Sequence, residues 1–321
     1  MICRKMRVLT VSAISLIMLN GAAKAQVVDE VPNNTENHAV SQTLLDTITT
    51  ALPNERGAID QNFLNQDYDP NIYVSEEAQL AVTFIDEGAG YRNSLGYFTF
   101  NDNTFDGLTF GDIDTDSSGR ISTSEITSLS GVTADLVFPN ASKQYAGGNL
   151  LTGDTVVIGG GSLDFTDDSW EINGGTKFSA GTNIGFFLAA NAWNDYGSTG
   201  TVDGWNGTAG DPYTYYSLDF LNPENNYTTT IDDVDAKSRH VALTFESSDR
   251  DVLIMGFEDL YRKSGSDDDF NDAVFLVRSD PGGAISNTDV EVYSAPAPAL
   301  GGGLISLAFL LVTGLLKRHK I

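Results

Sequence analysis

The 321-residue chain has one cysteine and three histidines. The cysteine, Cys3, precedes an apolar leader-like run, so the rest of the chain has no thiol and forms no disulfide. A secreted domain without disulfides relies on a large core or on metal ions. His38 and His240 are the histidines outside the C-terminal tip, which excludes a histidine-rich zinc site or a serine-type triad. His240 lies in the run Arg239-His-Val-Ala-Leu and reads as a packed edge-strand residue. Positive charge is also scarce: 18 Lys and Arg stand against 44 Asp and Glu. Four of the basic residues lie in 1–25 and three after 316, whereas every acid lies between those segments. The central part therefore carries 11 basic residues against 44 acids, a net charge of −33. Nucleic acid and anionic membrane surfaces are excluded as electrostatic partners, because both need a basic face. Bound cations are favoured.

Long apolar runs occur only near the two ends. Residues 1–25 read as a secretory signal peptide. Arg4, Lys5 and Arg7 form a basic start, Val8 to Leu19 is mostly apolar, and Ala23-Lys-Ala25 offers a small-x-small cleavage site. Residues 294–321 combine Ala-Pro-Ala-Pro, an apolar segment from Leu300 to Leu316, and the tip Lys317-Arg-His-Lys320. Seventeen helical residues rise about 26 Å, barely enough to cross a bilayer core. The basic tip predicts a cytoplasmic C-terminus. This arrangement resembles the PEP-CTERM sorting signals of Gram-negative bacteria, which an exosortase-like membrane protease cleaves. The chain departs from that pattern in lacking the Pro-Glu-Pro core, and Gly301-Gly-Gly303 resembles the glycine-rich signals handled by rhomboid-type sortases. The resemblance implies an exported protein at the envelope, at the cell surface or secreted, with a transient or permanent C-terminal anchor.

Between these ends the expected class is all-β. Residues 26–73 are polar, with one helical pattern from Ser41 to Leu52: Leu44, Leu45, Ile48 and Leu52 share a face and Pro53 stops the run. Over residues 74–293, short apolar or aromatic runs recur between Gly, Asn and Asp clusters. They are Leu80–Ile85, Leu95–Phe100, Thr155–Ile158, Ile184–Ala189, Tyr213–Leu218, His240–Phe245, Val252–Phe257 and Ala273–Val277. With no long helical pattern among them, they predict an antiparallel β-sandwich or jelly roll.

One segment, an insertion at 105–130, carries a specific chemical pattern. Asp114-Thr-Asp116-Ser-Ser118-Gly119-Arg120-Ile121-Ser122-Thr-Ser-Glu125 fits the calcium loop of an EF-hand. Calcium takes six to eight oxygens, so the loop needs side-chain oxygens at alternate positions, a glycine at the sharp turn and a late bidentate carboxylate. Asp114, Asp116 and Ser118 supply the alternate oxygens, Arg120 a backbone carbonyl, Ser122 a water-mediated contact and Glu125 the closing carboxylate. Gly107 and Gly111 disfavour a regular incoming helix. Such an isolated loop suits extracellular calcium, with a Kd of about 10⁻⁴–10⁻³ M. The plain alternative is an acidic turn capping a short helix.

Two further acidic stretches lie at the ends of predicted strands: Phe84-Ile-Asp-Glu87-Gly-Ala-Gly-Tyr91, and Gly256-Phe-Glu258-Asp259 followed by Asp267-Asp-Asp269-Phe-Asn271-Asp272. These residues resemble the bacterial family called domain of unknown function 4114, over about residues 78 to 279. The resemblance puts Glu87, Glu258, Asp259, Asp267, Asp269, Asn271 and Asp272 on the family's acidic positions and implies no established activity. Crowded carboxylates repel one another unless a cation bridges them. The expected second calcium site uses Glu258, Asp259, Asp267, Asp269 and Asp272, with Glu87. The alternative is an acidic turn held by local hydrogen bonds.

The expected function is a calcium-binding β-sandwich with a structural, adhesive or matrix role at the envelope. Its partners would be calcium and extracellular polysaccharide or matrix proteins. Two other readings stay open. One is a polysaccharide hydrolase using Glu87 and Glu258. The other is a carbohydrate-binding module using Trp193, Trp205, Tyr213, Tyr215 and Tyr216, rings that otherwise fill the core.

Overall fold

Unbroken apolar runs, rather than alternating ones, arise where both faces of a strand are covered. The computed structural model describes residues 27–293, except 58, 60, 65–67, 167–168, 196, 204–212 and the side chains of 61–62. The expected leader, the C-terminal apolar segment and Trp205 lie outside the described residues. Among the described residues no helix is long and apolar enough to cross a membrane.

The main strands are β1 (Gln79–Asp86), β2 (Ser94–Phe100), β3 (Thr133–Phe138), β4 (Asp154–Val157), β5 (Asn183–Ala189), β6 (Thr214–Tyr216), β7 (Val241–Phe245), β8 (Val252–Phe257) and β9 (Ala273–Asp280). A six-stranded sheet has the order β7-β8-β9-β1-β4, with Glu36–Asn37 at its edge. A five-stranded sheet has the order β6-β5-β2-β3, with Ile72–Tyr73 also paired to β5. Every pairing in the two sheets is antiparallel. The expected all-β sandwich is therefore the observed fold.

The core between the sheets takes alternate residues from each strand. Leu95 and Tyr97 of β2, Ile184, Phe186 and Leu188 of β5, and Ala273, Phe275 and Val277 of β9 all point into it. The intervening residues face outward and are buried again. Val274 and Leu276 join Ile254 under helix α1 (Gln42–Ala51), whose Leu44, Ile48 and Ala51 cover that face. Ser41 caps α1 by accepting the Leu44 N–H. Each large apolar side chain so buried contributes about 1.5–3 kcal/mol.

On the other sheet, Phe98, Phe100 and Phe187 face outward and meet Phe105, Phe110, Ile113, Ile121 and Ile126 of the 105–130 segment. The calcium-type loop is thus built into a third layer rather than left as a free lobe. Gly96 makes that layer possible: a Cβ there would lie 2.1 Å from the Phe187 ring and 2.7 Å from the Asp135 carbonyl.

Strands also occur outside the expected runs. Strand β3 was not foreseen; it is the edge of its sheet, and Thr133 and Asp135 give it a polar face. A separate hairpin, Ser162–Thr166 with Ser169–Asn173, was also missed because most of its residues are exposed.

Candidate metal centres

The loop from Asp114 to Glu125 joins α2 (Phe110–Ile113) to α3 (Thr123–Ser128). The incoming helix is only four residues long, as its glycines imply. Phe110 and Gly111 donate their N–H groups to the carbonyls of Thr229 and Tyr227, which ties the start of the insertion to the body. Tyr216, buried in the sandwich wall, donates its hydroxyl proton to the Ile121 carbonyl at 2.9 Å. The Arg120 guanidinium lies 4.0 Å above the Tyr213 ring.

Within the loop, Asp114 is buried and accepts N–H groups from Ser118 (3.0 Å) and Gly119 (2.8 Å). Asp116 accepts the Ser118 N–H at 2.9 Å. The Ser118 hydroxyl donates to the Arg120 carbonyl at 2.9 Å, so these two expected ligands converge. Gly119 adopts φ +76°, a conformation open to glycine without strain. Glu125 lies at the third position of α3, where one oxygen accepts the Ser122 N–H and the other accepts the Thr115 N–H. One oxygen from each of Asp114, Asp116 and Glu125 falls within 4.8 Å of the others. Burial raises the pKa of Asp114, with Glu125 adding repulsion, while hydrogen bonds from Ser118 lower that of Asp116. Ser122 also caps α3, a role compatible with a water-mediated contact.

The second acidic group sits at one end of the sandwich. Glu258 and Asp259 leave β8, and Asp267 to Asp272 lead back into β9. Two sets of three carboxylates come together, Glu258 with Asp259 and Asp272, and Glu258 with Asp267 and Asp269. Within each set the oxygens lie within 4.8 Å of one another. Asp272 accepts the Asp259 N–H at 2.7 Å, and Asn93 at the start of β2 donates its amide to Asp259 at 2.8 Å. Burial pushes Glu258 up to about 7 and Asp272 up to about 9, with the neighbouring carboxylates adding to both. Burial likewise raises Asp259 to about 6, against the hydrogen bond from Asn93. Asp269 is raised by burial too.

Glu87, just past β1, does not belong to either set of three. It is buried, and its Oε1 has no hydrogen-bond partner. Burial, with the charges of Asp86 and Asp259, pushes it up to about 7. Asp268 has a different role from its neighbours: Arg262 (2.7 Å) and Lys237 (2.8 Å) both pair with it. Desolvation raises Asp268, but these partners outweigh it and hold the group at about 2.

Trp193, Tyr215 and Tyr216 are buried and fill the core, and Tyr213 is half-buried against Tyr215 and Tyr261. His240 is buried beside β7, the edge strand of its sheet, as expected of a packed edge-strand residue. Its Nδ1 lies 2.9 Å from the Glu258 carbonyl, its Nε2 3.1 Å from Glu224, and its ring stacks on Tyr215. Sequence reasoning missed Asn93 and Glu224, which carry no local signature.

Comparison with known families places one match on this architecture. Residues 178–280 match the family described as Domain of unknown function (DUF4114). The matched part runs from just before β5 through β9 and contains Glu258–Asp272, but excludes Glu87 and the Asp114–Glu125 loop. It is shorter than the 78–279 span expected from the motifs. No curated protein and no solved structure matches the chain.

Proposed function

We propose that this protein is an exported calcium-binding β-sandwich with a structural or adhesive role at the bacterial envelope. The observation that carries the reading is the loop at Asp114–Glu125. Its side-chain and carbonyl oxygens converge, and its apolar residues form one layer of the fold. Calcium there would hold the third layer against the five-stranded sheet. Calcium at the Glu258–Asp272 end would neutralise carboxylates that are costly to bury as anions. The unfolded chain has no formed site, so metal binding adds directly to folding stability. Export rests on the leader and C-terminal signals, and it fits a site of extracellular affinity.

The hydrolase reading is less well supported. Glu87 and Glu258 are 1% and 0% exposed, so neither carboxyl is presented to a glycan chain. The test is a calcium titration by calorimetry and thermal melting, with Asp114→Ala and Asp269→Ala alongside. The expected result is a calcium-dependent rise in melting temperature, of which each variant removes a separate part. Indifference of the wild type to both calcium and chelator would refute the proposal.

A further inference from the structure

The connection from β6 to β7 borders a cavity of about 270 Å³, near the lower end of small-molecule pockets, which run from about 300 to 1,000 Å³. Buried Asp219 and Arg239 line it, with half-buried Ile231 and Val234 and the exposed acids Asp69 and Asp289. None of these residues belongs to the candidate metal centres. Asp219 is 7% exposed, and only one of its oxygens is satisfied. Oδ2 accepts the Arg239 Nε proton at 2.9 Å, whereas Oδ1 has no hydrogen-bond partner. Arg239 also donates from Nη2 to the Tyr68 carbonyl at 2.6 Å, so the guanidinium is anchored.

A buried acceptor without a donor is costly, so the partner that Oδ1 lacks is an N–H or O–H group. Charge narrows the class. Three carboxylates and one guanidinium line the cavity, which favours a cation. A bare calcium ion fits poorly, because it takes six to eight oxygens and, among the described residues, these acids do not converge as a ligand set. Ile231 and Val234 add an apolar wall suited to a hydrocarbon stem. An ammonium group brings three donors and needs no acceptor.

We propose that this cavity binds a small organic cation, a primary ammonium on a short alkyl stem. The ammonium donates to Oδ1 of Asp219, the stem lies against Ile231 and Val234, and Asp69 and Asp289 draw positive charge to the cavity. The site is independent of the calcium reading, and either can fail without the other.

The test is calorimetric titration of the full chain with n-butylammonium, in physiological salt and excess calcium so that other acidic groups are screened or occupied. Saturable one-to-one binding is expected. Tetramethylammonium, which has charge but no donor, and n-butanol, which has a donor but no charge, should each bind about tenfold more weakly or worse. Val234→Trp, which fills the cavity from its wall, should abolish binding. Asp69→Asn and Asp289→Asn should each weaken it by up to about fivefold, as exposed charges do. All three variants should keep the wild-type melting response to calcium. Binding that survives Val234→Trp lies elsewhere on the acidic surface and overturns the proposal. Equal binding of tetramethylammonium or n-butanol overturns it too, as does the absence of saturable binding. Should Val234→Trp fail to fold, nuclear Overhauser contacts between n-butylammonium and the Ile231 and Val234 methyls of the wild type decide: their presence supports the site and their absence refutes it.

Discussion

Exchanging Glu258 for glutamine should stabilise the calcium-free protein and destabilise the calcium-loaded one. Glutamine keeps the shape of the side chain but cannot ionise. Burial raises the pKa of Glu258 from 4.5 to about 7. A carboxyl raised in the folded state contributes stability that is full below pH 4.5 and is lost as pH climbs through 7. At pH 7 without calcium, the wild type therefore carries a penalty of about 3 kcal/mol that the variant escapes. In a chain of this size 1 kcal/mol moves the melting temperature by about 2–4 °C, so Glu258→Gln should melt about 6–12 °C higher. At pH 4.5 the two proteins should melt together. Saturating calcium should invert the order at pH 7, because the variant has lost a ligand of the proposed site. Differential scanning calorimetry at both pH values, in calcium-free and calcium-rich buffer, reads all four conditions. A variant less stable than the wild type in calcium-free buffer at pH 7 would refute the reasoning. The hydrogen bonds that Leu260 and Asp268 donate would then outweigh the buried charge.

Other perturbations test separate parts of the structure. At calcium a hundredfold above its Kd, the loop ion should contribute about 2.7 kcal/mol, and Asp114→Ala should abolish that increment in a melting series. Phe275→Ala, at a fully buried core position, should cost about 3–5 kcal/mol in urea unfolding with calcium dependence unchanged. Gly96→Ala should destabilise by about 1–3 kcal/mol in the same assay, since the added methyl has no room beside Phe187 and the Asp135 carbonyl. Trp193→Ala should lower the melting temperature sharply, the outcome for a buried ring; loss of glycan retention at an unchanged melting temperature would show instead that the ring is a sugar platform.

Much of this was legible in the sequence because the relevant physics is local. The oxygen-bearing residues of Asp114–Glu125 lie within a dozen consecutive residues, so spacing alone specifies which oxygens converge. The strands β1, β2, β5, β8 and β9 announce themselves by apolar runs, and α1 by its face of Leu44, Ile48 and Leu52 with Pro53 behind it. Strand β3 and the 162–173 hairpin were silent because edge and surface strands carry polar residues that read as loop.

The second acidic group shows where local reading ends. The sequence reading expected Glu258, Asp259, Asp267, Asp269 and Asp272, with Glu87, as ligands, and it set Asp268 apart by family resemblance alone, without a physical reason. That separation depends on Arg262 and Lys237 reaching one carboxylate and not the others. Glu87 and Asn93 approach the group only because β1 pairs with β9 and β2 lies in the facing sheet. The sequence by itself determined the all-β class, the run of oxygen-bearing side chains from Asp114 to Glu125 and the excess of negative charge. Tertiary structure decided that the loop forms a buried layer and that Glu258 stands at the centre of two triads, because contacts between residues far apart in the chain exist only once the strands have paired.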